Sequence, residues 1–142
     1  MTVFQDFSSL QPARQVNAVV ILLLVESTMA FTNGEIEQIH RIVGGLCERR
    51  APNHVKHEIR LNYSIANHDV VICEERPLRN QSSEWIELEI AKLRYVRKRD
   101  EWQLHWKRAS GKWWPYEPLT RSKTLAAMIK EIDLDSDGCF FG

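Results

Sequence analysis

Four groups of side chains in this 142-residue sequence have the types that chemistry needs. Asp133-Leu134-Asp135-Ser136-Asp137-Gly138 has carboxylates at its first, third and fifth positions and glycine at the sixth, like the opening of a calcium-binding helix–loop–helix loop. Such a loop also needs a bidentate Glu at its twelfth position and an exiting helix, whereas Gly142 is only the tenth. These aspartates therefore read as a polar turn after a last helix. Cys47, His54, His57 and Cys73 are possible metal ligands, but their irregular spacing lacks the paired short intervals of zinc ribbons and fingers, so no metal is expected. His40 reads as a satisfied residue on an apolar helix face. Glu74, Glu75, Glu89 and Lys92 could hold a divalent ion for phosphodiester cleavage. A nuclease strand sets acid and lysine two apart on one face; Glu89 and Lys92 are three apart, and only a bulge would bring them together. No Ser, His, Asp or Cys, His set stands out, so the sequence leans away from an enzyme and these residues read as cross-strand ion pairs.

The fourth group is the largest. Residues 87–118 hold four of the five tryptophans. In and around them Lys92, Arg94, Arg97, Lys98, Arg99, Lys107, Arg108 and Lys112 interleave with Tyr95, Trp102, Trp106, Trp113, Trp114 and Tyr116. Cations of this kind contact phosphates, and the rings stack on bases. The alternative is that the rings pack under helices while the cations form a solvated face paired with Glu74, Glu87 and Glu89. Five tryptophans in so small a domain favour a contact surface, because exposed aromatics mark one. Charge agrees: 19 basic and 19 acidic side chains cancel over the whole chain, yet residues 92–123 carry ten Lys and Arg against three acids.

These side chains must be positioned by an α+β domain. Thr32-Asn33-Gly34-Glu35 fits a capping box, and Ile36, Ile39, Val43 and Leu46 recur at helical spacing until Pro52. Gly44 and Gly45 weaken that helix and suit a close approach to a sheet. Ile59, Leu61, Tyr63 and Ile65 alternate with polar residues up to the turn cluster Asn67-His68-Asp69, and residues 70–75 continue as the partner strand. Residues 76–83 read as a polar loop. From Ile86, Leu88 and Ile90 the apolar phase shifts to Ala91, Leu93 and Tyr95, which predicts a β-bulge near Ile90 and Ala91. Trp102, Leu104 and Trp106 form the next alternating strand, and Pro115 marks residues 112–116 as an edge strand. Thr124 caps a last helix with Leu125, Met128, Ile129 and Ile132 on one face. The expected order is an N-terminal helix, a four- to five-stranded antiparallel sheet and a C-terminal helix, with both helices on one face of the sheet and the other face open.

Residues 1–28 precede these signals and read as an N-terminal extension, or as a mis-assigned start, ahead of a single domain at 29–142. Their apolar run, residues 18–25, is far short of the about 20 residues that span a bilayer. A signal peptide is the sharper reading of that run, but only Arg14 precedes it and Asp6 offsets that charge. Three scattered cysteines, Cys47, Cys73 and Cys139, suit reduced thiols in a cytoplasm.

Leu46-Cys47-Glu48-Arg49-Arg50-Ala51-Pro52, Ile59-Arg60-Leu61-Asn62-Tyr63, Glu75-Arg76-Pro77, Ala91-Lys92-Leu93-Arg94-Tyr95-Val96-Arg97, Lys112-Trp113 and the ending Gly138-Cys139-Phe140-Phe141-Gly142 resemble, in collinear order, a bacterial domain-of-unknown-function family, number 3024. The resemblance runs over about 29–142 and implies a small bacterial single-domain protein. It supplies no activity and no functional residue. On the residues alone, the expected function is non-catalytic binding of nucleic acid through Arg94, Arg97, Lys98, Arg99, Lys107, Lys112 and Trp113, without cofactor or membrane and with the oligomeric state open. A protein-interaction module on the same face is the alternative, and a metal-dependent nuclease the third choice.

Overall fold

The computed structural model describes residues 30–78 and 81–142, and, within the strand that begins at Gln81, side chains from Ser83 onward. The chain divides into two compact units, Met1–Thr32 and Asn33–Gly142. Of the first only residues 30–32 are described, so the expected extension at 1–28 lies outside the described residues.

Helix α1, Asn33–Arg50, starts directly after Thr32 and buries Ile39, Val43, Leu46 and Cys47, one stripe at helical spacing. It stops before Pro52, whose ring disfavours helical backbone in the residue ahead of it. Gly44 is the point of closest approach to the sheet: a Cβ there would lie 3.4 Å from the Tyr63 hydroxyl. His40, expected on the buried stripe, is exposed instead, and its Nδ1 lies 2.6 Å from the Tyr63 hydroxyl. Helix α2, Leu125–Leu134, is capped by the Thr124 hydroxyl, which accepts from the Ala127 amide at 3.3 Å, and buries Leu125, Met128, Ile129 and Ile132. Among the described residues no helix is long and apolar enough to cross a membrane.

The strands are β1 Arg60–Ala66, β2 Asp69–Leu78, β3 Gln81–Val96, β4 Glu101–Lys107, β5 Trp113–Pro115 and β6 Arg121–Ser122. All pair antiparallel in the order β1-β2-β3-β4-β5, with the two-residue β6 also joined to β4. The fold is thus α+β, with one short strand more than the sequence pattern predicts. Pro115 sits on the outermost strand, as its missing donor requires. The predicted bulge is present: Ile72 faces Ala91 while Cys73 faces Glu89, leaving Ile90 as the extra residue.

Leu61, Val70, Ile72, Ala91, Leu93, Tyr95, Trp102 and Leu104 line one face and are buried. α1 covers it over β1, and α2 covers it over β4 and β6. The expected polar loop at 76–83 is instead the end of a two-stranded arm. β2 continues to Leu78 and pairs Arg76 with Ile86 and Pro77 with Trp85, whereas β1 stops pairing at Glu75. Pro77 therefore meets no strand on its outer side, so its lack of an N–H leaves no ladder bond unmade. Leu78, Ile86 and Leu88 on this arm extend past the helices and stay exposed.

Candidate nucleic-acid interface

Strand alternation turns the remaining side chains to the face that neither described helix covers. Cross-strand register places Asp69, Val71, Cys73 and Glu75 of β2 opposite Arg94, Lys92, Glu89 and Glu87 of β3. On the other side of β3, Lys92 and Arg94 face His105 and Gln103 of β4, and Lys107 faces Trp113 of β5. The bulge is what turns Glu89 and Lys92 to the same side despite their spacing of three.

Trp113 lies at the β5 edge of this face and gathers two of its cations. Its half-buried ring has the ammonium groups of Lys92 and Lys107 each 5.2 Å from its centroid, within cation–π range. Lys107 is also ion-paired with Glu89. Arg94 forks onto Asp69 through bonds of 2.8 and 2.9 Å. Burial alone would raise the Asp69 pKa, but the Arg94 hydrogen bond and charge outweigh it and hold the carboxyl below its usual value. His105 lies between Lys92, Arg94 and Asp69. Burial, then the charges of Lys92 and Arg94, push its pKa below the usual histidine value. Lys92 has no ion-pair partner among the described residues.

Arg97, Lys98 and Arg99 form the turn at the opposite end of β4 from Lys112. Arg97 reaches back to α1, donating to both Glu35 oxygens at 2.9 and 3.2 Å. Arg99 lies 3.9 Å from Glu101. Lys98 is exposed. Tyr95 ties the turn together by donating to Asp100 at 2.5 Å, a bond that, with burial, pushes the phenol pKa up to about 12. Of the seven residues expected to contact nucleic acid, Lys107, Lys112 and Trp113 thus gather at one end of the face, Arg94 lies midway along it, and Arg97, Lys98 and Arg99 lie at the other end.

The aromatic set also divides. Tyr95, Trp102 and Tyr116 are core, Trp106 and Trp113 are half-buried, and Trp114 is 48% exposed. Trp114 and Trp106 are register partners on the helix side, and the Arg108 guanidinium lies 4.5 and 5.5 Å from their centroids. Trp85, on the arm, is covered by Arg60 at 3.6 Å.

Of the other candidate groups, the aspartates at the end of α2 hold the fold, whereas Glu75, expected in a cross-strand ion pair, makes none among the described residues and faces Glu87. Asp133 accepts from Arg50 at 3.2 Å, and Asp135, in left-handed backbone at φ 46°, accepts from the Phe140 and Phe141 amides at 2.9 and 3.0 Å. Glu74 accepts from Arg76 at 2.9 Å. Glu75, Glu87 and Glu89 surround Cys73, whose thiol is pushed up to about 11 by burial and then by those carboxylates. Among the described residues no set of three His, Cys, Asp or Glu converges closely enough to hold a metal ion.

Comparison with curated proteins and with solved structures returns no match. A family model described as "Domain of unknown function (DUF3024)" matches residues 31–142, well over half of the sequence, and the chain therefore belongs to that family.

Proposed function

We propose that this protein binds nucleic acid, with little sequence preference, through the open sheet face and the turn beside it. The observation that carries the reading is the Trp113 ring, set on a sheet face that no described helix covers, with the ammonium groups of Lys92 and Lys107 each 5.2 Å from its centroid. A base stacked on that ring would bring its flanking phosphates within reach of both cations. Every base has a π-face, so stacking of this kind does not discriminate sequence. Lys112, exposed and next to Trp113 in the chain, extends the positive surface past the ring. The same reading puts the protein in a bacterial cytoplasm, supported by the three cysteines, all of them free thiols.

Salt dependence tests it. Phosphate contacts release counterions, and each cation engaged on a single strand contributes about −0.7 to the slope of log K against log salt. Lys92, Lys98 and Lys112, which have no ion-pair partner among the described residues, give a slope of about −2. Recruiting Arg94 and Lys107 away from Asp69 and Glu89 would steepen it to about −3.5. Titration of labelled oligonucleotides between low and moderate salt should return a value in this interval. If the wild-type protein binds no oligonucleotide at low ionic strength, the reading gives way to a protein-interaction role. Magnesium-dependent cleavage lost in Glu75→Ala would replace it with nuclease activity.

A further inference from the structure

We infer, resting on the nucleic-acid reading, that the ligand is a single strand that crosses the β4–β5 hairpin, stacking on Trp113 at the open face and on Trp114 at the opposite face. Trp113 and Trp114 are consecutive residues of a strand, and their register partners Lys107 and Trp106 point to opposite sides of the sheet. Each ring has its own cation: Lys92 and Lys107 flank Trp113, and Arg108 covers Trp114 at 4.5 Å. Two platforms of one kind therefore stand back to back on the outermost strand of this edge.

The connection between them favours a polyanion. Residues 107–114 contain Lys107, Arg108 and Lys112 and no carboxylate. Residues 108–112 are all exposed, and the chain turns at Gly111, whose φ of 85° favours glycine. A strand leaving Trp113 in the other direction meets Glu89, Glu87 and Glu75, which lie on the same face and repel phosphate. The route outward over the hairpin meets no carboxylate and offers Arg108 and Lys112, neither of them ion-paired among the described residues.

A duplex cannot take this route. Its bases are stacked internally and show no ring face to either tryptophan. Its persistence length of about 150 base pairs also makes a bend around the edge of one sheet costly. A single strand has free bases and no such stiffness.

The experiment uses the full chain with an oligothymidylate and a hairpin duplex of equal length at low ionic strength, followed by ligand anisotropy and tryptophan quenching. Trp113→Ala and Trp114→Ala should each weaken single-strand binding about 5- to 150-fold, the usual effect of removing a stacked ring, and leave duplex binding unchanged. Trp113→Phe and Trp114→Phe, which keep a stacking ring, should stay within a few-fold of wild type and so separate lost stacking from lost folding. If duplex and single strand bind equally, or if Trp114→Ala has no effect while Trp113→Ala does, the ligand stays on the open face: the crossing is wrong and the nucleic-acid reading survives. If the wild-type protein binds neither ligand, the nucleic-acid reading itself fails.

Discussion

Arg97 separates a cation that holds the fold from one available to a ligand, and Arg97→Ala measures the difference. Its guanidinium donates two bonds to Glu35 across the join between the β3–β4 turn and the first turn of α1, and the two side chains are only 28% and 27% exposed. Exposed ion pairs contribute about 0.2–1 kcal/mol, whereas hydrogen bonds to charged groups reach about 1.5–3 kcal/mol. A half-buried, forked pair falls between, so Arg97→Ala should cost about 1.5 kcal/mol. At about 4 °C per kcal/mol for a domain of this size, Tm should fall by about 6 °C. The assay is urea unfolding of wild type, Arg97→Ala, Glu35→Gln and the double variant, with Lys98→Ala as control. Lys98 is exposed and should change stability by less than about 0.5 kcal/mol. The cycle should give a coupling of about 1 kcal/mol between Arg97 and Glu35. Strict additivity, or an unchanged Arg97→Ala midpoint, would refute the claim that this arginine is committed to the helix.

Two further outcomes follow from the geometry. Asp135→Ala removes the acceptor for two amides and places alanine at φ 46°, so thermal unfolding should show a loss of about 1–2 kcal/mol; Asp135→Asn, which tolerates left-handed backbone and keeps one acceptor, should lose less. His105 has a folded-state pKa below its unfolded value, so the stability this supplies is complete above the ordinary histidine pKa and is lost as pH falls through the lowered folded value. In urea unfolding at pH 7.5 and pH 5, the His105→Gln variant should therefore gain on wild type at the lower pH, and a pH-independent difference would contradict the placement of His105 beside Lys92 and Arg94.

Local signals carried much of the fold. Threonines preceding apolar stripes marked both helix starts, a change of apolar phase located the bulge at Ile90, and Pro115 marked the edge strand. Pro77 misled for a physical reason: proline argues against a strand only where its amide would face a neighbour, and β1 ends before reaching it. β6 escaped because two residues show no periodicity; its pairing is set by β4. At the candidate site the residue types were legible and their engagement was not. Arg97 meets a carboxylate 62 positions away, and Lys92 reaches Trp113 two strands over, so both contacts depend on register rather than on local pattern.

That register divides the cations between two tasks. Along the body of the open face, Arg94 and Lys107 are matched to Asp69 and Glu89, pairs that favour the observed alignment of neighbouring strands. At the hairpin, Arg108 and Lys112 lie against aromatic rings or solvent. Glu75 and Glu87 stand directly opposite each other at the base of the arm, a like-charge pair that disfavours its own strand pairing and that Arg60, opposite Glu75 on β1, offsets in part. This arrangement costs the arm stability, yet it gives the open face a negative boundary on one side. The polarity within the sheet thus runs from the acidic arm to the basic hairpin. On the proposed reading, a phosphate chain approaching this face would be repelled at one end and attracted at the other, a directed path on a nominally neutral protein.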